Sequence, residues 1–309
     1  MNHNNDTNNG ENPPQFVRHN LYWFTDGSVV IRVDTTTIYR IHLSMLTRLS
    51  EVMGSILTIP ESSGKAPDDP TREGTEHYPL LLPGTCVEEF DDFLQWLYRT
   101  EWEPLGHNDN EKERICTHLL KLSDMWQIKP GKTYAISVLE NMALPASRRL
   151  ELAGMFTIAD WVRPAVKNIL NKKLSSLTDL DIRAMGWKVY SILVKAKEAL
   201  DAEARRVAFV PPSMAKDPAW ECKDHSSCVS IWPKLWFDRI GRELLHADRP
   251  MHLNEIAGKV LREDTLKHTR LSESCRVDIV NHCIDMTFAD ESIVTACAEA
   301  IVKYHANLL

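Results

Sequence analysis

Residues 26–57, DGSVVIRVDTTTIYRIHLSMLTRLSEVMGSIL, decide the fold of the N-terminal half of this chain. Apolar side chains alternate over residues 29–34, a pattern typical of a short strand with one apolar face. The Asp-Thr-Thr sequence at residues 34–36 predicts a turn, because these side chains hydrogen-bond to nearby backbone groups. A second β-prone run follows at residues 38–41, so the stretch opens with a predicted β-hairpin.

A helical stretch is predicted directly after the hairpin, because apolar residues recur at spacings of three and four from Leu43 to Ile56. Further along, the segment Tyr78–Leu82 has the composition of a short buried strand, and Pro83-Gly84 ends it. Thr85 is then placed to cap the next helix.

Three apolar stripes at helical spacing follow and predict three helices that cover the sheet. Their members are Phe90, Phe93, Leu94, Leu97 and Tyr98; Ile115, Leu119, Leu122 and Trp126; and Ala135, Val138, Leu139 and Met142.

This order of elements resembles that of a BTB/POZ domain. The residues His42, Ser44, Leu46 and Ser50 lie where that family's pattern places them after its first hairpin. The segment FDDFLQWLY, residues 90–98, is similar to the family's F-x-x-F-L-x-W-L-Y segment. The layout is similar to that of the BTB proteins that are numerous in mushroom-forming (basidiomycete) fungi.

The resemblance implies an α+β fold class: a small β-sheet covered by helices, followed by an all-α C-terminal region. We therefore divide the chain into a BTB/POZ domain (residues 16–142), a helical extension (143–210) and a C-terminal helical region with a Cys/His loop (211–309). Residues 1–15 carry too few apolar groups to offset the entropy of ordering and are predicted to be a disordered tail.

What the resemblance implies about function is protein–protein interaction without catalysis. The expected partners are a second copy of the chain, other proteins in hetero-oligomers, and a cullin-type ubiquitin ligase scaffold for which the chain would be a substrate adaptor. In this family the segment before the hairpin can pair with a partner chain, which makes Leu21, Tyr22, Trp23 and Phe24 candidate contact residues. The sequence has neither a kelch period nor tandem zinc fingers, so any specificity is expected in the helical C-terminal region.

Composition excludes several other classes. The 309 residues are 43% hydrophobic and 26% charged, which is ordinary for a globular protein. A net charge of -7 argues against a nucleic-acid backbone as partner. The sequence contains no run of roughly 18 apolar residues, which a membrane span would need. Its Asn-rich start is unlike a signal peptide. We expect a cytoplasmic or nuclear protein whose seven cysteines are mostly reduced.

Apolar spacing predicts that the second half of the chain is helical. One helix is predicted from a cap at Thr178 to Phe209, with Pro211-Pro212 after its end. Four further apolar stripes mark helices at residues 235–244, 253–260, 275–286 and 293–304, the third of them capped by Ser272.

The spacing Cys222-x2-His225-x2-Cys228 is that of metal ligands. Thiolates and imidazole are the usual ligands of zinc, and a gap of two residues lets neighbouring ligands reach one ion. A structural zinc is therefore the candidate cofactor, and it would explain how a polar loop between helices stays ordered.

Cys275 is the candidate fourth ligand, because a residue at the start of a helix can reach a preceding loop. His282 and Cys283 are weaker candidates. The alternative interpretation is two unliganded thiols and a solvated imidazole, since the sequence lacks a second Cys-x2-Cys pair.

Two rival functions stay open beside the interaction module. A transcription or chromatin regulator would need a basic surface at the Cys/His loop, where three lysines are offset by three acidic residues (Lys216, Lys223 and Lys234; Asp217, Glu221 and Asp224). A metal-dependent enzyme would need an open coordination position and a nearby general base. The sequence has no nucleophile elbow, phosphate loop or dinucleotide fingerprint, and we assign no catalytic residue.

Three polar features of the first half are expected to be structural. His42 should bond locally near the start of its helix. Ser44 and Ser50 should be surface or packing serines. The acidic pairs Glu88-Glu89 and Asp91-Asp92 should complement the dipole of a helix that begins just before them.

Overall fold

The computed structural model describes residues 16–58, 73–100, 105–211, 213–214, 222–246, 255 and 270–308, without the side chains of residues 56–58 and 280–289. The chain forms two compact units, Met1–Ala143 and Leu144–Leu309. Together they make a mixed α/β protein that is mostly helical, with one small sheet. The predicted tail, residues 1–15, and the predicted helix at residues 253–260 lie outside the description, apart from residue 255.

The first unit is built on a four-stranded sheet with the order β1-β3-β2-β4. The central pair is antiparallel, with Val29 opposite Ile41 and Ile31 opposite Tyr39, so the predicted hairpin is confirmed. The outer strands β1 and β4 run parallel to their neighbours β3 and β2. The strands are β1 (Val17–Trp23), β2 (Val29–Arg32), β3 (Thr37–Ile41) and β4 (Leu80–Leu81).

The hairpin turn forms as the sequence predicts. The Asp34 carboxylate accepts hydrogen bonds from the backbone N–H groups of Thr36, at 2.8 Å, and Thr37. The prediction of one apolar face on β2 is wrong, because Val30 is as deeply buried as Val29 and Ile31. Successive side chains of a strand point to opposite faces, so this inner strand is covered on both sides.

The helical stretch after the hairpin consists of two helices, α1 (Leu43–Leu49) and α2 (Glu51–Thr58). Ser50 separates them in an extended conformation, with φ −149° and ψ 123°. Its buried hydroxyl donates to the carbonyl oxygen of Trp126 and accepts from the N–H of Met53 at 3.0 Å. The Ser50 hydroxyl therefore gives the first turn of α2 a hydrogen-bond acceptor and connects this helix to Trp126, which is far along the chain.

Two predictions around the fourth strand are wrong in detail. The predicted buried strand Tyr78–Leu82 shortens to β4, and Tyr78 and Leu81 are exposed while Leu82 is buried. Only over Leu80–Leu82 does exposure alternate in the way expected of an edge strand covered on one side, with Leu80 half-buried. The next helix is capped by Cys86 instead of Thr85, because Glu89 reaches back to the Cys86 N–H at 3.3 Å to form a capping box.

The three predicted helices are present as α3 (Val87–Tyr98), α4 (Asp109–Met125) and α5 (Lys129–Glu140). Of these, α3 contacts the sheet through Tyr39, α4 packs on α3, and α5 packs on α4. Their apolar stripes form the core of the first unit, where Phe90, Phe93, Ile115, Leu119 and Leu139 are fully buried. Tyr39 of β3 packs edge-on against Phe90 with ring centroids 4.9 Å apart.

The second unit is all helical in its described residues. Its helices are α6 (Ala146–Phe156), α7 (Val162–Leu170), α8 (Asp179–Met185), α9 (Trp187–Phe209), α10 (His225–Trp236), α11 (Arg242–Leu244) and α12 (Glu273–Ala306), with short 3-10 helices at Ala159–Trp161 and Leu174–Ser176 and a π-helical turn at Phe237–Gly241. Thr178 is the cap of α8, as predicted, and its side chain accepts from the N–H of Asp181 at 3.2 Å.

Two boundaries differ from those predicted for the second unit. The predicted helix from Thr178 to Phe209 is interrupted at Gly186, whose φ of +80° is outside the helical region. The two helices predicted at residues 275–286 and 293–304 are one continuous helix, α12. Its N-cap is Ser272, as predicted, with Oγ 3.3 Å from the Cys275 N–H.

Replacing Ser50 with alanine should lower the free energy of unfolding by about 1–3 kcal/mol, because the buried Trp126 carbonyl and Met53 N–H both lose their partner. Urea unfolding of the full chain measures this. Ser44→Ala is the matched control, since Ser44 is exposed in the first turn of α1 and its removal should change stability by less than about 0.5 kcal/mol. Equal effects of the two substitutions would contradict the role of Ser50.

Candidate functional site

The second unit brings the predicted metal ligands to the starts of two helices. Asp224 caps α10 by accepting from the Ser227 N–H at 3.1 Å, which makes His225 the first residue of that helix. Cys275 lies in the first turn of α12. The Cys/His loop of the prediction is therefore only in part a loop, because His225 and Cys228 are both helical.

The ligand atoms converge in space. One donor atom from each of Cys222, His225 and Cys275 lies within 4.8 Å of the other two, so this cluster can hold a metal ion. The His225 Nδ1 is 3.4 Å from the Cys275 Sγ. Cys228, which the sequence also predicts as a ligand, is not part of this group, although its Sγ is 3.9 Å from that of Cys222.

An apolar core lies behind the cluster. Cys228 and Cys275 are each 2% exposed and belong to this core, while Cys222 and His225 are half-buried. The other buried members come from α9, from the helical run 225–244 and from the start of α12: Val207, Ala208, Trp232, Trp236, Ile240, Leu244, Leu271 and Ile279. The Trp236 indole N–H donates to the Val207 carbonyl at 2.7 Å, so its polar edge is satisfied inside the core.

Local hydrogen bonds favour a thiolate at Cys222. The Ser272 N–H donates to the Cys228 Sγ at 3.5 Å. Hydrogen bonding, led by that from Ser272, lowers the pKa of Cys222 to about 7, whereas burial raises the pKa of Cys275 to about 11. The positive ends of α10 and α12 also favour negative charge here.

Several predicted features of this region lie outside the part of the chain that the structure describes. They are the side chains of His282 and Cys283, and residues 215–221, which include Lys216, Asp217 and Glu221.

The predicted contact segment before the hairpin forms the edge strand β1. Leu21 is 76% exposed, whereas the rings of Tyr22 and Phe24 pack near that of Tyr98, at centroid distances of 6.3 and 4.8 Å. The Arg18 guanidinium lies 4.8 Å from the ring centroid of Trp23. Three of the four candidate contact residues therefore have partners within the first unit, and Leu21 is the one that faces solvent.

Sequence reasoning missed His19, which shapes this strand. Its Nδ1 accepts from the N–H groups of Leu21, at 3.3 Å, and Tyr22, at 3.1 Å. Its Nε2 lies 3.3 Å from the Asp91 carboxylate on α3. The ring thus holds the backbone where the register between β1 and β3 shifts, and anchors it to a helix.

The acidic residues of α3 do more than complement the helix dipole. Glu88 and Glu89 lie in the first turn, as predicted. Asp92 is buried and accepts from Arg114 and His118, each at 2.6 Å. A buried carboxylate is tolerated when it is paired in this way. Because Asp91 similarly accepts from the Tyr39 hydroxyl at 2.9 Å, this helix is fixed to both the sheet and α4.

The prediction that His42 bonds locally is wrong. Its Nδ1 is 3.0 Å from the Tyr98 hydroxyl, and its Nε2 is 3.3 Å from the Asp26 carboxylate. His42 therefore joins both ends of the hairpin to the end of α3, through a contact that no short sequence spacing reveals.

Among the described residues, no helix is long and apolar enough to cross a membrane. No protein-family model matches this chain, and comparison with the curated proteins and with the solved structures finds no match either.

Replacing His19 with alanine should speed hydrogen exchange at the Leu21 and Tyr22 amides, because both N–H groups lose their acceptor. The expected cost in stability is about 1 kcal/mol. Exchange measured residue by residue tests this, with the exposed His77→Ala as the control. Unchanged exchange at both amides in the His19 variant would show that the ring does not hold the strand.

Proposed function

We propose that this chain is a protein-interaction protein of the BTB/POZ type, whose C-terminal unit is stabilised by a structural zinc ion. The observation that carries the interaction role is the exposed edge of the sheet at β1. Val17 and Leu21 on this strand are 59% and 76% exposed.

The first unit supports the family assignment by the order of its elements. A hairpin, two short helices, a short strand and three further helices follow each other as the resemblance implies. Ser50, one of the residues that carry the resemblance, has a defined role at the junction of α1 and α2.

The partner that this edge fits best is a second copy of the chain. A strand at the edge of a sheet offers unpaired backbone N–H and C=O groups to another strand. Apolar Val17 and Leu21 lie among polar neighbours such as Arg18, Asn20 and Glu76. An apolar centre with a polar rim is the usual composition of a protein interface.

If the chain is a substrate adaptor, it would recruit a cullin-type ubiquitin ligase scaffold. This part of the proposal rests on the resemblance to BTB/POZ domains. Affinity capture of the tagged chain with mass spectrometry tests it. Recovery of a cullin and its associated subunits supports the adaptor role. A capture that yields only the chain itself supports self-association and contradicts the adaptor role.

Zinc is the metal that the cluster fits best. With Zn–S bonds of about 2.3 Å and Zn–N bonds of about 2.0–2.1 Å, a tetrahedral site has edges of about 3.8 Å between sulfurs and about 3.6 Å between sulfur and nitrogen. The observed separations are 3.9 Å for Cys222 and Cys228 and 3.4 Å for Cys275 and His225. Each of the two distances is close to one edge of such a tetrahedron, and the three residues of the cluster would supply three of its corners.

We assign a structural role with Cys228 as the fourth donor, which would have to move closer to the three-residue cluster to complete it. Four protein ligands close the coordination shell of zinc, whereas a catalytic zinc has three and keeps a position for water. The burial of Cys228 and Cys275 in an apolar core also favours a closed site over an open one. This separates the proposal from the metal-dependent enzyme that the sequence left open.

Protein purified under reducing conditions should contain one zinc ion per chain, measured by elemental analysis. Cys275→Ser should lose it, because the variant replaces a soft thiolate that contacts the His225 ring. Chelation should also destabilise the second unit, by about 4 kcal/mol if free zinc is a thousandfold above its Kd. Cys86→Ser is the control, since Cys86 is exposed in the first unit and outside the cluster. Equal zinc in both variants would contradict the site.

Leu21→Glu should weaken self-association at least about tenfold, because it places a charge at the apolar centre of the proposed interface. Light scattering over a range of concentrations measures the effect. The matched control is Leu180→Glu, which introduces the same change in the second unit at a leucine that is 75% exposed. A wild-type chain that stays monomeric throughout would refute the edge as a dimer contact.

A further inference from the structure

We infer that the zinc site is also a peroxide-sensitive switch, in which Cys222 and Cys228 form a disulfide and the metal is released. This inference rests on the zinc proposed above and concerns the regulation of that site. It is carried by the separation of the two sulfurs and by the unequal exposure of the cluster's cysteines.

The two sulfurs are close enough to bond after a small movement. They are 3.9 Å apart, and a disulfide requires about 2.05 Å, so the gap must close by about 1.9 Å. Cys228 is fixed in α10, but Cys222 precedes the cap of that helix. The movement therefore falls on a residue outside regular structure, where backbone rotation costs least.

Solvent exposure determines which cysteine of the cluster reacts first. Cys228 and Cys275 are each 2% exposed, while Cys222 is half-buried and reachable from solvent. Elsewhere in the described chain, Cys116 and Cys297 are buried in other parts of the fold, where burial raises the pKa of Cys116 to about 12 and that of Cys297 to about 11. Cys86 is exposed, but it lies in the first unit, outside the cluster. Reaction with an oxidant requires an accessible thiolate, so Cys222 is the expected point of attack within the cluster.

The chemistry balances with hydrogen peroxide as the oxidant. The Cys222 thiolate attacks one peroxide oxygen, the O–O bond breaks, and a sulfenic acid and hydroxide form. The Cys228 thiolate then attacks the Cys222 sulfur, forms the S–S bond and displaces a second hydroxide. The two sulfurs together lose two electrons, peroxide gains them, and two protons convert both hydroxides to water.

Disulfide formation removes half of the ligand set. Only Cys275 and His225 would remain, which is too few for a structural zinc site. Because the metal links the start of α10 to the start of α12, its loss also removes a connection across the core around Trp232 and Trp236. The order of this part of the second unit would therefore depend on the redox state.

The experiment treats the zinc-loaded full-length chain with hydrogen peroxide in the presence of a chromophoric zinc chelator. Zinc release should proceed in step with a disulfide between Cys222 and Cys228, mapped by mass spectrometry of unreduced peptides. Reduction with dithiothreitol and added zinc should restore the original zinc content. Zinc retained after peroxide, or zinc released with the disulfide at another cysteine pair, overturns the inference.

Cys222→His is the discriminating variant. Histidine keeps a fourth ligand for zinc but cannot form a disulfide, so the variant should bind zinc and release it at least about tenfold more slowly under peroxide. Release as fast as in the wild type contradicts the inference. If this variant does not fold, the disulfide map of the wild-type chain decides alone. Absence of zinc before any peroxide is added would instead contradict the proposed zinc site.

Discussion

The pairing of β2 with β3 is the interaction on which the first unit depends. These are the two inner strands of the sheet, so β1 and β4 each have an inner strand as their only described neighbour. The same hairpin places Tyr39 against α3 and carries His42 to the end of that helix. The turn at Asp34 sets the register of this pair, because the geometry of a hairpin turn determines which residues lie opposite each other.

The second unit depends on helix packing and not on strand pairing. Its helices pack through apolar stripes, but the segment around Cys222 has few apolar groups to bury. The proposed zinc ion would replace apolar contacts there, because the free energy of binding a structural metal contributes directly to folding. The caps Asp224 and Ser272 are part of this arrangement, since they fix where α10 and α12 begin and so where His225 and Cys275 lie.

The parts of the fold that the sequence predicts correctly are those that repeat. The apolar spacing of the helices has a period near 3.6, which follows from backbone geometry alone. The hairpin was predicted from its two β-prone runs and the Asp-Thr-Thr turn between them. The closeness of Cys222 and His225 was also predictable, because their short spacing before and at the start of one helix limits how far apart they lie. Cys275, which is far away in sequence, was inferred only from its place at the start of a predicted helix.

The breaks in the helices were not predictable in the same way. Apolar spacing continues from Leu49 through Met53 without interruption, yet the chain turns at Ser50 because the Trp126 carbonyl is there to accept its hydroxyl. That partner is 76 residues away. His19 and Asp91 are another such pair, joined only when the sheet places β1 beside α3. Contacts of this kind are set by tertiary structure, and they leave no local pattern.

The charge of the proposed zinc site explains why it lies at two helix starts. Three thiolates, a neutral imidazole and Zn²⁺ leave roughly one net negative charge beside an apolar core. An uncompensated charge there would be costly. The starts of α10 and α12 carry partial positive charge, and the Ser272 N–H donates directly to the Cys228 sulfur. The same stabilisation lowers the reactivity of the buried sulfur it touches, which leaves the half-buried Cys222 as the sulfur of the cluster that oxidants meet first.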